Sequence, residues 1–240
     1  MFAFALLRAL HTPTTLPMLA PLQTTKPETK QQRGSTTVSV TTTGVKWKNL
    51  FDGKSLVGWK RTDFSGGGEV RVEKKFHGDV AAIVVQGGSA LSGFNWTGNA
   101  LPKTSYEISL EAIKLDGNDF FCGLTFPVAD SSASLILGGW GGSTVGISCI
   151  DSRDASENDT TQSISFEKNR WYKVKVRVTP VKIEVWVDTK QIVNQGIADR
   201  KVSLRVGEIF RSLPLGVATY QTTAGFRSLK VRSIGAKAVP

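Results

Sequence analysis

The sequence predicts an all-β fold, a β-sandwich of the jelly-roll kind, and three observations carry that expectation. Short apolar runs, some strictly alternating, recur along the chain from Trp47 onward. Turn pairs such as Asp52-Gly53 and Asp116-Gly117 stand between them. No stretch after residue 45 repeats its apolar side chains at helical spacing.

Taken in order, the chain opens with residues 1–44, which hold a short apolar run, Phe2 to Leu7, and then Thr, Pro, Gln and Ser. Such a composition buries too little apolar surface to offset the entropy of ordering. The segment reads as a targeting remnant followed by a flexible Thr/Pro-rich linker, and residues 45–240 as one domain. From Trp47 to Trp59 a short strand, the Asp52-Gly53 turn and a second short segment are expected, with both tryptophans in the core. Gly66-Gly67-Gly68 is a loop, since it lacks the Lys-Ser/Thr pair of a phosphate cradle. Residues 69–73 and 81–86 are strand-like, with His77 in a turn between them. Asn95-Trp96-Thr97 matches a glycosylation sequon, a pattern common by chance.

Tyr106, Ile108, Leu110 and Ala112 alternate with Glu107, Ser109 and Glu111, the pattern of a half-buried strand. In the next run Phe120, Cys122, Leu124 and Phe126 share one face, and Phe121, Gly123 and Thr125 the other. Phe121 is thus a core residue or a platform for a ligand. Further runs at 135–137 and 145–150 bracket the cluster Gly138-Gly139-Trp140-Gly141-Gly142. Its glycines permit positive φ and remove side chains that would block a ligand at Trp140; the same pattern also suits tight turns around a core tryptophan. A carboxylate-rich loop follows, holding Asp151, Asp154, Glu157 and Asn158.

The clearest hairpin spans 171–188. Keeping Tyr172, Val174, Val176 and Val178 on one face with Val181, Ile183, Val185 and Val187 sets Val178 opposite Val181, Lys175 opposite Glu184 and Lys173 opposite Trp186. Trp186 then stands among charges on the polar face, as a sugar platform or as a packing residue. Residues 191–194, 202–206, 215–219 and 226–231 supply the last strands.

The net charge of +10 raises the question of nucleic acid. The Lys and Arg residues are scattered along strands, with no basic helix, zinc ligand set or RNA-binding aromatic motif, which argues against it. Two cysteines, Cys122 and Cys149, lie in apolar runs, as buried thiols or as a disulfide pair. With only His11 and His77 beside them, a Cys/His zinc site is excluded. No apolar run reaches the roughly 18 residues of a membrane span.

Three stretches together resemble the 3-keto-disaccharide hydrolase domain family, which has a concanavalin-like jelly-roll fold. They are Leu50-Phe51-Asp52-Gly53-Lys54-Ser55-Leu56-Val57-Gly58-Trp59, the strand from Trp171 to Val176, and Gly225-Phe226-Arg227-Ser228-Leu229. The resemblance implies a secreted or cell-envelope bacterial protein whose partner is a carbohydrate, an oxidised disaccharide or glycoside. It implies chemistry on sugars oxidised at carbon 3: a base removes the acidified C2 proton, an electrophile stabilises the enolate, and the glycosidic oxygen leaves. Asp151, Asp154 and Glu157 are the candidate catalytic carboxylates. With Asp119 they are also a candidate set for Mg²⁺ or Ca²⁺, which prefer oxygen ligands. Trp140, Phe121, Asn158 and Trp186 are the candidate substrate contacts. A non-catalytic carbohydrate-binding module and a surface adhesion domain are the competing expectations, because one fold hosts all three.

Overall fold

The computed structural model describes residues 46–78 and 80–235. The targeting remnant and linker expected over 1–44 lie outside the described residues. The described chain forms β1 (Lys48–Asn49), β2 (Trp59–Arg61), β3 (Val70–Phe76), β4 (Val80–Val85), β5 (Leu91–Trp96), β6 (Tyr106–Asp116), β7 (Cys122–Val128) and β8 (Ser131–Gly139). It continues with β9 (Thr144–Ser148), β10 (Gln162–Ser163), β11 (Trp171–Val178), β12 (Lys182–Val187), β13 (Lys190–Gly196), β14 (Gly216–Tyr220) and β15 (Thr223–Ser233). A single 3-10 turn, Glu208–Ser212, is the one helical element among the described residues.

These strands make two antiparallel sheets. The first runs β13-β12-β11-β6-β15-β4-β3, with β1 also paired to β15. The second runs β10-β9-β8-β7-β14-β5-β2. The alternation in β6 does what period two requires: Tyr106, Ile108, Leu110 and Ala112 enter the core, while Glu107, Ser109 and Glu111 point away from it. Leu124, Phe126, Leu135, Leu137, Val145 and Ile147 meet them from the second sheet. Each such side chain contributes about 1.5–3 kcal/mol on burial. Cys122 and Cys149 are both free and buried. Burial pushes the Cys122 thiol up to about 12, so it acts as a small apolar side chain.

Three local expectations are corrected, and one strand is added. The β11–β12 hairpin keeps its faces but shifts by two residues: Val178 pairs Ile183, Arg177 pairs Glu184 and Lys175 pairs Trp186. The cause is a wider turn. Thr179 N–H donates to the Lys182 carbonyl at 2.9 Å, and Thr179 Oγ1 accepts from Lys182 N–H at 3.0 Å. Val181 is therefore left on the turn and exposed. Trp47 is only half-buried and lies outside the core cluster, under Arg232, whereas Trp59 is a core residue. Residues 202–206 form no strand; only Val202 bridges to Ile150, and Val206 is 91% exposed. Finally, β5 went unforeseen, because Gly93 and Asn95 break its apolar pattern. Asn95 is buried and donates to the Leu213 carbonyl at 3.3 Å, so the sequon lies inside a sheet.

Candidate functional site

The outer face of the second sheet has a floor of small side chains. Gly123 and Ala218 stand on the face opposite the core residues Leu124 and Val217, with Ile136 beside Gly123 in register, while Gly146 lies beneath Ala155 and Thr160 of the acidic loop. Three part-exposed aromatics border this face: Phe120 and Tyr220 form a pair, and Trp140 stands on the turn that Asp119 ties to the Phe120 segment. Phe120 lies over Gly123, its ring 2.9 Å from where a Cβ would be. Tyr220, 36% exposed, stands 6.0 Å from Phe120 between ring centroids. Trp140, 44% exposed, forms the β8–β9 turn with φ 47, flanked by Gly141 at φ 90 and Gly142 at φ 109. The glycines thus serve both readings: they make the turn, and the turn lifts the indole out of the core.

Phe121 is not part of that surface. It is fully buried, 5.0 Å from Phe166 and 6.0 Å from Tyr172 between ring centroids. Phe120 and Phe121 exchange the faces that simple alternation gives them, because regular pairing begins only at Cys122. The half-exposed platform is Phe120.

Asp119 fastens the two aromatic segments. Its Oδ1 accepts from Phe120 N–H at 2.7 Å and its Oδ2 from Gly141 N–H at 3.3 Å. Beneath the turn lies Lys114, only 5% exposed, with its Nζ 3.5 Å from a Cβ built on Gly142. Burial, and secondarily Lys168, lower its pKa, against the pull of Asp119 and Asp116. The sequence carried a signal for it, since Lys114 continues the inward series Tyr106, Ile108, Leu110 and Ala112.

The acidic loop does not act as one unit. Asp154 turns toward Trp140: its Oδ2 is 2.8 Å from Arg205 Nη1, and the Arg205 guanidinium lies 5.9 Å from the Trp140 ring centroid. The Asp154 Oδ1 accepts from Ser148 Oγ at 2.5 Å and from Ala155 N–H at 2.8 Å. Asp151 faces another way. It accepts from Lys201 N–H at 2.8 Å and pairs with Arg200 at 2.5 Å, and the Lys201 amide above all holds its carboxyl below the usual range. With Arg153, Asn158, Asp159 and Arg200 it lines a polar hollow of about 390 Å³. Glu157 is exposed, its backbone N–H bonded to the Asp154 carbonyl.

Asn158 is corrected from substrate contact to loop organiser. Its Nδ2 donates to the carbonyls of Ile147, Arg153 and Asp154, and its Oδ1 accepts from Thr160 N–H and Oγ1. Those bonds use the whole amide. Trp186 is corrected in place: it lies on β12 of the first sheet, under Lys175 at 4.0 Å, away from Trp140 on the second. Among the described residues no three His, Cys, Asp or Glu side chains meet as a ligand set. Asp119 and the carboxylates of the 151–157 loop do not converge on one point, so the residues present do not fit the Mg²⁺ or Ca²⁺ site. Arg205 is the residue that sequence reasoning missed, since it sits in a segment read as a strand.

Comparison with known proteins gives the family and the fold. The family model described as a 3-keto-alpha-glucoside-1,2-lyase-like domain matches residues 46–232. No curated protein matches the chain. Among solved structures, a candidate glycosyl hydrolase from Parabacteroides distasonis superposes with a TM-score of 0.50 at 13% identity, covering 78% of this chain and 94% of its own. A Bacillus subtilis protein with a galectin-like fold reaches 0.50 at 9% identity, over 74% and 90%. A structure described under endo-acting O-glycanases of the human gut microbiota reaches 0.50 at 11%, over 78% and 100%. At these identities the likeness is one of fold. No helix of the described residues is long and apolar enough to cross a membrane.

Proposed function

Because the chain belongs to the 3-keto-alpha-glucoside-1,2-lyase-like domain family, we propose that it acts on carbohydrates at the outer face of its second sheet, cleaving glycosides oxidised at carbon 3. One observation carries the reading: Arg205 joins the half-exposed Trp140 to the Asp154 carboxylate. That puts an apolar platform, a carboxylate and a cation within reach of one ligand.

The reaction needs those three parts. A sugar ring lies against Trp140, with Phe120 and Tyr220 extending the platform. Asp154 takes the C2 proton, which the neighbouring ketone has acidified. The electrons of the C2–H bond become the C1–C2 double bond as the C1–O bond breaks. Negative charge collecting on the ketone oxygen in the transition state meets Arg205, which needs only to turn from Asp154 toward the ligand. The proton taken by Asp154 then passes to the departing oxygen, so the products are an unsaturated keto-sugar and an alcohol. Water adding across the double bond completes a net hydrolysis.

A second reading also has a specific observation behind it. Both Asp154 oxygens are already bonded, to Ser148, Ala155 and Arg205. A fixed array of that kind suits a binding module. Incubating 3-keto-trehalose with the protein separates the two. We expect release of 3-keto-glucose, lost in Asp154→Ala by at least about 100-fold, the scale of a general base, and weakened in Trp140→Ala. Calorimetric binding that Trp140→Ala removes, with no turnover in any variant, gives the binding module instead.

A further inference from the structure

The first sheet presents an outer face that the proposed function leaves unused; beside an apolar cluster of Phe76, Ala82, Val84 and Ile113 it carries three polar ladders. The first holds Glu184, Arg177, Glu107 and Arg232 in cross-strand register. Its charges cancel: Arg177 reaches Glu107 at 2.7 Å, and Arg232 reaches the same carboxylate at 2.5 Å. The third holds Lys173, Glu111 and Arg227, with Arg227 on Glu111 at 2.7 Å.

The middle ladder differs. It holds Trp186, Lys175, Ser109 and Lys230 and no carboxylate. Among the described residues no acidic side chain lies within ion-pair distance of Lys175 or Lys230. Each ammonium rests on an indole instead, Lys175 4.0 Å from the Trp186 centroid and Lys230 5.2 Å from that of Trp47. A bulge makes this possible. Between Arg227 and Lys230 the register slips, with Ser228 at φ 56, so two cations three residues apart both point outward. The two lysines thus stand in register on either side of the short Ser109, on strands about 10 Å apart, two strand spacings, each ammonium resting on the indole beyond its own strand.

We propose that this face is a second binding surface, for an acidic polysaccharide. A carboxylate of the polymer sits over Ser109 between Lys175 and Lys230, with the serine hydroxyl donating to it. The fixed carboxylates of the outer ladders, Glu184 and Glu111, oppose a chain charged at every unit but accept hydrogen bonds from sugar hydroxyls. The complement is therefore a sparsely charged glycan rather than a nucleic acid. The stacked indoles hold the lysines in place, which lowers the ordering cost of binding, and the net charge of +10 favours encounter.

Affinity electrophoresis of the full chain tests this, through gels containing hyaluronan, which carries one carboxylate on every second ring. Neutral dextran and single-stranded poly(dT) serve as comparisons. We expect retardation by hyaluronan, none by dextran, and loss of the effect on raising NaCl from 50 to 300 mM. Ser109→Glu, which puts a carboxylate between the lysines, should weaken retention at least about tenfold, the scale of a misplaced charge at an interface. The double variant Lys175→Gln/Lys230→Gln should do the same, and circular dichroism keeps folding separate from binding. No retardation by hyaluronan, retardation unchanged in both folded variants, or stronger retention by poly(dT) would each overturn the proposal. Turnover of 3-keto-trehalose is indifferent to all of these substitutions, so failure here leaves the proposed reaction standing, and the reverse.

Discussion

At the scale of single residues, the most constrained group is Glu107. It is fully buried on the outer side of β6, and two guanidinium groups close over it. Burial alone would raise its pKa. The bonds from Arg177 and Arg232 outweigh that and hold the carboxyl below its ordinary 4.5. A lowered folded pKa stabilises the fold fully above the unfolded value and loses that contribution as pH falls through the folded one. Glu107→Gln should therefore cost about 3 kcal/mol at pH 7, the cost of breaking a buried pair. The gap to the native chain should narrow as pH drops below 4.5. Urea titrations at pH 7 and pH 3 measure this, and a gap of constant size would assign the loss to packing instead. Glu107 was legible as an outward residue of an alternating strand. Its arginine clamp was not, because neighbours across strands depend on register. The same limit explains Phe121: one irregular residue before Cys122 reverses which phenylalanine faces out.

At the scale of elements, turns decided what sequence pattern left open. The β11–β12 faces were readable from their valines, yet the register depended on how many residues the turn consumes. Thr179 sets that number. Its hydroxyl accepts from the amides of Lys182 at 3.0 Å and Val181 at 3.4 Å, and its own amide closes the loop. Thr179→Ala should cost about 1 kcal/mol, the scale of one lost hydrogen bond to a backbone amide, seen as a lower denaturation midpoint with an unchanged slope. An unchanged midpoint would mean that Pro180 alone fixes the turn. The consequence of the register reaches the surface: a shift of two residues moves Lys175 from Glu184 to Trp186, and so turns an ion pair into an uncompensated cation. The segment around 202–206 shows the opposite error. Its apolar residues suggested a strand, yet it runs outside the regular sheets and there delivers Arg205 to Asp154 and Trp140.

At the scale of the whole molecule, the sandwich was legible because alternation, turn pairs and the lack of helical spacing agreed on one fold. Of the proposed site, Trp140 and Asp154 were singled out in the sequence; that they share Arg205 was not legible, since Arg205 lies 65 positions beyond Trp140 and such long-range contacts leave no local pattern. The two sheets give this protein two outer faces with an apolar core between them. Trp140 and Asp154 belong to one face, Ser109, Lys175 and Lys230 to the other. Sheets pack about 10 Å apart, so side chains on opposite outer faces share no contact, and substitutions on them should add rather than couple. The variant carrying both Trp140→Ala and Ser109→Glu should thus lose 3-keto-glycoside turnover by the factor seen for Trp140→Ala alone. It should lose hyaluronan retention by the factor seen for Ser109→Glu alone. Measuring both activities in the four proteins of this cycle tests the separation. Coupling beyond about 0.5 kcal/mol in either activity would mean that the core transmits strain from one sheet to the other, or that a single ligand spans both faces.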